Sequence, residues 1–307
     1  MRRTATFLIG LLALPVLAAC GGGGGDDAGG LSGTIQIDGS STVFPVSQAM
    51  AEEFQIANPG VRVTVGVSGT GGGFQKFCNG ETAISNASRP ISDSERERCV
   101  AEGVEPIELT VAWDGLTVVV HPTNDWATCM TVEELRRVWQ PGSTIRSWSE
   151  IRDGWPDAPL VLYGADTDSG TFDYFTEAIV GEEDASRADY TASADDNVLV
   201  LGVSGDPGAL GYFGYAYYEQ NRDKLKVVEI DGGNGCVAPT RPAVEDGSYT
   251  PLSRPLFIYV RSDALERPEV RAFVEFYLDS GEALVPETGY VPLGAADYEE
   301  QRARLGA

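Results

Sequence analysis

The chain has 307 residues, long enough for one large or two medium domains, and a formal charge of −24, with 46 acidic against 22 basic side chains. So strong a negative balance argues against nucleic acid and against anionic lipid as ligands, because both need a cationic surface.

Arg2 and Arg3 form a charged start, Phe7 to Val16 a short apolar run, and Leu17-Ala18-Ala19-Cys20 follows. That is the build of a secretory signal, and it is too short to span a bilayer as a mature helix. A cysteine directly after Leu-Ala-Ala has the form of a bacterial lipobox, so residues 1–19 are expected to be cleaved and Cys20 to carry lipid. The alternative is an ordinary signal with an incidental cysteine. Residues 20–32 then form a lipidated, glycine-rich tether, since Gly21 to Gly25 and Gly29-Gly30 cannot pack. No later segment is apolar for long enough to span a membrane. The expected location is extracytoplasmic, anchored to a membrane by more than one acyl chain.

Residues 34–38 alternate as a strand, a turn follows at Gly39-Ser40-Ser41-Thr42, and Val43, Val46, Met50 and Phe54 recur at helical spacing. Val61 to Val65 alternate again, and a second turn, Ser68-Gly69-Thr70-Gly71-Gly72-Gly73, precedes a helix expected from Phe74 to Cys78. Ile84 to Ser88 reads as a short strand ending at Arg89-Pro90, and Ser92 caps a helix that runs to about Gly103. Residues 107–120 form one apolar stretch interrupted by Asp114-Gly115. Thr131 caps a helix through Trp139. A strand at 160–163 leads into Asp166-Thr167-Asp168-Ser169-Gly170-Thr171, and Phe172, Phe175 and Ile179 then mark a helix that stops at Gly181. Late in the chain come a strand, Pro255 to Val260, and an aromatic-rich helix, Val270 to Leu278. Alternating strands and helices predict α/β layers with largely parallel sheets.

Three segments share one design, strand then small hydroxylated turn then helix, at residues 39–42, 68–72 and 168–171. In an open α/β sheet such turns lie at the carboxyl ends of strands, where ligands bind. Each helix start offers unpaired N–H groups, hydroxyls add donors, and glycine lets the backbone approach closely. A single such turn is read most simply as a helix cap; three together point to one shared anion site. Arg89 at a strand end can fork onto two oxygens of a tetrahedral anion or form a surface ion pair. Arg254 is similar in kind and is read as structural.

A serine nucleophile needs a general base within reach. The single histidine, His121, precedes Pro122 at an apolar strand end, and Ser169 is not in a G-x-S-x-G elbow. No G-x-x-x-x-G-K-[ST] motif is present. Setting Cys20 aside, Cys78, Cys99, Cys129 and Cys236 make an even set in an exported chain, which suggests two disulfides with three possible connectivities. Zinc is disfavoured by the absence of any CxxC pair. No metal and no cofactor are expected.

Asp38-Gly-Ser-Ser-Thr-Val-Phe-Pro45, Ser68-Gly-Thr-Gly-Gly-Gly-Phe74, Ser85-Asn-Ala-Ser-Arg-Pro-Ile91 and Thr167-Asp-Ser-Gly-Thr-Phe-Asp-Tyr-Phe175 resemble the phosphate-binding proteins of bacterial phosphate ABC transporters, the PstS family. The resemblance covers most of residues 33–295 and includes Asp196 to Val200 and Leu210 to Tyr215. It implies a type II periplasmic-binding-protein fold, two α/β lobes, each a mixed and mostly parallel sheet flanked by helices, joined by two crossing hinge strands. The crossing strands would lie near Leu109–Val119 and Pro251–Tyr259. Lobe one would hold residues 33–112 plus 253–307, and lobe two residues 113–252.

The resemblance further implies a monomer that is not an enzyme. It would hold dehydrated inorganic phosphate in the cleft and deliver it to a membrane permease driven by an ATPase. The implied ligands are Ser41, Thr42 and the Val43 amide; Ser68, Thr70 and Gly71; Ser88 and Arg89; and Asp168, Ser169, Gly170 and Thr171. The better-known members have an aspartate where this chain has Arg89, and an arginine shortly before Ser-Gly-Thr, where this chain reads Tyr163-Gly164-Ala165-Asp166. The pattern resembles a distinct branch. Because a pocket carboxylate selects for a protonated anion, Asp168, Asp38 and Asp196 are the candidates for that acceptor, in that order. The expected disulfides are Cys78–Cys99 and Cys129–Cys236. Rival readings are a receptor for sulfate or another oxyanion, a secreted phosphatase or esterase using Ser169, and a sensor or adhesion lipoprotein of the same fold.

Overall fold

Strands and helices alternate from residue 33 to residue 304 in the structure, a computed structural model that describes residues 30–167 and 169–306. The expected signal peptide, Cys20, most of the tether and Asp168 lie outside the described residues. The first stretch is β1 (Gly33–Gly39), α1 (Phe44–Ala57), β2 (Val61–Val65), α2 (Gly69–Cys78), β3 (Ile84–Ala87), α3 (Asp93–Ala101) and the long β4 (Pro106–Val120). There follow β5 (Cys129–Thr131), α4 (Val132–Trp139), β6 (Val161–Gly164), α5 (Gly170–Phe175), β7 (Thr191–Ala192), α6 (Asp196–Gly205), β8 (Ala209–Gly214) and α7 (Tyr215–Gln220). The last stretch is β9 (Lys226–Asp231), β10 (Cys236–Val237), α8 (Arg241–Glu245), β11 (Ser253–Arg261), α9 (Pro268–Leu284), β12 (Val291–Pro292) and α10 (Ala295–Arg304).

Local chemistry accounts for several boundaries. Pro45 sits in the first turn of α1, where its missing N–H breaks no helical bond, and α1 buries Val46, Met50 and Phe54. Ser92 with Glu95, and Thr131 with Glu134, close reciprocal capping boxes on α3 and α4. Gly181 ends the helical segment beyond α5 in the left-handed conformation, φ 93°.

Two expectations change. The glycine run is not a turn before a helix at Phe74 but the first turns of α2 itself. A Cβ on Gly73 would lie 2.5 Å from the Gly39 Cα, so glycine is what lets α2 press against β1. Nor do Asp114-Gly115 interrupt the apolar stretch. β4 runs through them, and its buried carboxylate is opposite Arg254 in the β4–β11 ladder.

The sheet order is β2-β1-β3-β11-β4-β8-β6-β7. β2, β1 and β3 are mutually parallel, as are β8, β6 and β7. Between these groups β11 and β4 run antiparallel to their neighbours. Pro106–Gly115 of β4 pair with β11, whereas Leu116–Val120 pair with β8, so one strand serves both halves of the molecule. This is the two-lobed, crossing-strand architecture.

Each half has its own core. One gathers Ile35, Met50, Phe54, Leu109, Ile258 and Phe273. The other gathers Trp139, Trp148, Phe175, Leu199, Tyr212 and Phe213, with Phe175 stacked on Tyr212 at 3.6 Å between ring centres. A smaller cluster of Phe74, Phe77, Phe257 and Tyr259 surrounds the Cys78–Cys99 disulfide, which ties the end of α2 to α3. The second disulfide, Cys129–Cys236, joins β5 to β10 on either side of β9. These are the two expected pairs.

Candidate functional site

β1 leads directly into the first hydroxyl turn, which is pinned from below where the Ser40 amide donates to the Asn86 carbonyl at 3.0 Å. Asn86 is held in turn by the Ser47 hydroxyl at 2.7 Å. The second turn starts α2 beside the end of β3. There the Thr70 and Ser88 hydroxyls meet at 3.1 Å, and the Ser88 amide donates to Thr70 Oγ1 at 3.3 Å. The third turn caps α5, since Ser169 Oγ accepts from the Thr171 amide at 3.2 Å.

The first two turns, with Asp173 and Tyr174 of α5, line a cleft of ≈ 560 Å³. Of the residues expected there, Ser41, Thr42, Thr70, Gly71, Ser88 and Arg89 line it. Ser169, Gly170 and Thr171 are not among its described lining residues, but Gly170 packs on the first turn. A Cβ placed on Gly170 would be 3.1 Å from the Thr42 Cα. Val43 is wholly buried in the first core. Ser68 is drawn aside, its hydroxyl donating to Asp38.

The carboxylate candidates separate in space. Asp38 bonds Ser68 and the Lys76 ammonium, the latter at 2.6 Å, and is not among the described residues that line the cleft. Asp196 opens α6, where it accepts from the Gly214 amide at 3.4 Å. Burial pushes its carboxyl up to about 6, only partly opposed by that bond. An acid with a raised folded pKa opposes folding as it ionises, so this penalty is absent below about 3.8, its ordinary value, and complete above about 6. Asp196→Asn is therefore expected to raise the thermal midpoint above about pH 6 and to leave it unchanged below about pH 3.8. Melting curves across that range check it, and an equal change at both ends would refute the assignment.

Arg89 faces the cleft but its fork is occupied, donating to both Glu95 oxygens at 2.8 and 2.9 Å. Partial burial works to raise the Glu95 pKa, but the Arg89 fork and bonds from Ser92 prevail and hold it at about 2. The structure adds residues that sequence reasoning did not assign to the site, Arg254 among them, which was read there as structural. Asp173, Tyr174, Glu177 and Arg254 all line the cleft. Asp173 Oδ2 accepts from the Ser41 hydroxyl at 3.1 Å, a bond between the α5 and β1 ends. Burial raises the Asp173 pKa against that bond. Arg254 enters from the start of β11, with Nε on Asp114 at 3.2 Å and the Tyr174 ring 3.6 Å from its guanidinium carbon. Burial raises the Asp114 carboxyl to about 6 although Arg254 acts to lower it. Helical spacing could have found Asp173, one turn after Ser169 on the same face. Nothing local distinguished Arg254 from a surface residue.

The arrangement offers hydroxyls and amide-rich helix starts around one cleft, which suits a tetrahedral oxyanion. Among the described residues no group of acidic, histidine and cysteine side chains could hold a metal ion. No helix among them is long and apolar enough to cross a membrane.

Comparison with known proteins agrees with this chemistry. Residues 25–281 match the family described as PBP superfamily domain. Protein SphX of Synechocystis is 48% identical over 87% of this chain and 80% of its own length. The phosphate-binding protein PstS of Staphylococcus saprophyticus is 39% identical over 94% of this chain and 90% of its own. The crystal structure of a possible phosphate-binding protein from Planctomyces limnophilus superposes with a TM-score of 0.86 at 52% identity, covering 90% of this chain and 98% of that one.

Proposed function

This chain belongs to the PstS family of phosphate-binding proteins within the PBP superfamily, and from that membership we propose that it captures inorganic phosphate in the cleft and delivers it to an ABC importer. Members of this family are extracytoplasmic binding proteins, not enzymes. The observation that carries the reading is the meeting of two hydroxyl turns with Asp173 and Tyr174 of α5 at one cleft, with Gly170 of the third turn packed on Thr42 of the first.

In this reading Thr42, Thr70 and Ser88 donate hydroxyl bonds to the anion, Ser41 turns its hydroxyl from Asp173 to join them, and the amides of Val43, Gly71 and Gly170 add the helix-start donors. Ser68 and Ser169 hold those turns in shape, and Arg89 stands at the rim. Lobe one comprises residues 33–112 and 253–307, and lobe two residues 113–252. The protein acts as a monomer tethered through lipid on Cys20, with the glycine tract giving it reach to the permease.

Titration calorimetry with phosphate, repeated in excess sulfate, tests the reading. Saturable phosphate binding that sulfate fails to displace is the expected result. No heat with phosphate, or equal competition by sulfate, would overturn it. Buried hydrogen bonds carry this affinity, so it should persist at physiological salt, where exposed charges interact over only about 8 Å.

A further inference from the structure

We propose that Arg254 is the cationic ligand of the bound anion, so that the charge that clamps the ligand comes from a hinge strand and not from the hydroxyl turns. The proposal rests on the phosphate-receptor reading.

The cleft needs a cation. Its lining carries the carboxylates of Asp173, Glu177 and Glu183, and among its described lining residues only Arg89 and Arg254 are basic. Arg89 already spends its fork on Glu95 at 2.8 and 2.9 Å, and its side chain is 46% exposed. Arg254 differs on both counts. Its side chain is 14% exposed, and its contacts fan out to Asp114 at 3.2 Å, Thr42 Oγ1 at 3.2 Å and Glu177 at 3.4 Å. All three are longer than the ~2.7–2.9 Å of a well-made charge-assisted bond. A guanidinium has five donors in a fixed plane, and here one partner is a neutral hydroxyl and another a carboxylate that is 60% exposed. Donor capacity is left over.

The plane of the fork is nevertheless set. Asp114, buried on β4, takes one edge, and the Tyr174 ring lies 3.6 Å beneath. Tyr174 is fixed by its own bond to the Pro251 carbonyl at 2.7 Å. The edge that remains points at Thr42, one of the proposed phosphate ligands. Two oxygens of an anion seated on Thr42 could be taken by this fork, with Glu177 displaced toward solvent. Arg254 also touches residues on either side of the cleft, Thr42 before α1 and Glu177 after α5, from a strand that starts where β4 changes partners. An anion bound there would draw both sides to one hinge-borne group.

Removing Arg254 alone would leave buried Asp114 without its counter-charge, so the test uses two variants of the mature chain. Asp114→Asn combined with Arg254→Gln keeps the pair neutral and hydrogen-bonded. Arg254→Lys keeps the charge and loses the planar fork. Calorimetry with inorganic phosphate should show the double variant weaker by about ten- to hundred-fold, with Arg254→Lys in between. Thermal midpoints without ligand should stay close to wild type. Phosphate affinity within about three-fold of wild type in the double variant would sink the proposal. So would equal losses in both variants matched by equal falls in thermal midpoint, which would mean a structural role. Should the double variant not fold, an undiminished affinity in Arg254→Lys would overturn the proposal by itself. A wild-type protein that binds no phosphate would instead remove the receptor reading, and this proposal with it.

Discussion

Gly170→Val is expected to weaken phosphate binding by about a hundred-fold or more, equivalent to roughly 2.7 kcal/mol, while leaving the fold intact. A Cβ at Gly170 meets the Thr42 Cα at 3.1 Å, Oγ1 at 3.2 Å and N at 3.4 Å. Two of these are backbone atoms at the start of a helix and cannot swing aside. Alanine is a tight fit that neighbours can absorb by a few tenths of an ångström, so Gly170→Ala should cost only several-fold in affinity. Valine adds two methyl groups at the same contact and must hold the first and third turns apart. Gly170 has no positive φ, so a side chain strains nothing local. The loss therefore belongs to the meeting of the two turns, not to helix α5. Calorimetry on the two variants, with thermal melts to confirm folding, gives the comparison. Wild-type affinity in Gly170→Val would show that the turns need not touch for binding and would remove the third turn from the site.

The second large effect is on stability. Cys129 and Cys236 are 107 residues apart in sequence, so their bond closes a long loop between β5 and β10. Loop-closure entropy for about 100 residues amounts to roughly 4–5 kcal/mol in the chain-entropy account, and measured losses for native disulfides run about 2–5 kcal/mol. Cys78 and Cys99 close only 21 residues and are fully buried among Phe74, Phe77 and Tyr259. Cys236 is exposed and Cys129 half-buried. The double variant Cys129→Ser with Cys236→Ser should thus lose about 2–5 kcal/mol in urea unfolding. Under mild reductant the wild-type protein should open this bond before the buried one, as thiol labelling and peptide mapping would show. An unchanged urea midpoint, or earlier labelling of Cys78 and Cys99, would contradict the account.

These two effects differ in where their evidence originates. Three cysteine pairings stood open on the residues alone, but the even cysteine count and the hydroxyl turns were legible in the linear chain. The contact between Gly170 and Thr42 was not, because it joins residues more than a hundred positions apart. The same division runs through the site. Ser92 and Thr131 announced their helices by capping chemistry, and both capping boxes are present. Val46, Met50 and Phe54 announced a buried helix face by their spacing. Such signals are local, since each depends on hydrogen bonds or periodicity within one or two turns. The glycine run misled because its purpose is tertiary. Gly73 lacks a side chain so that α2 can lie against Gly39 of β1, and no local rule separates that from a turn.

The charges show the division most sharply. Nothing adjacent to Arg89 or Arg254 in sequence distinguishes a strand-end arginine that faces a ligand from one that faces a neighbour. Glu95, six residues on, claims the fork of Arg89, whereas Arg254 is brought over Tyr174 and beside Asp114 by the β4–β11 ladder. Likewise Asp38 and Asp196 were named after Asp168 as candidates for the pocket carboxylate, yet one is taken by Lys76 and the other accepts from the Gly214 amide, while Asp173 reaches Ser41. Residue order was therefore enough to point to an α/β fold with one shared anion site, because hydroxyl turns and caps act through short-range chemistry. Which charged groups enter the cleft was settled only by folding. A guanidinium or a carboxylate acts over a few ångströms of space, and the chain path across the hinge sets which of them come that close.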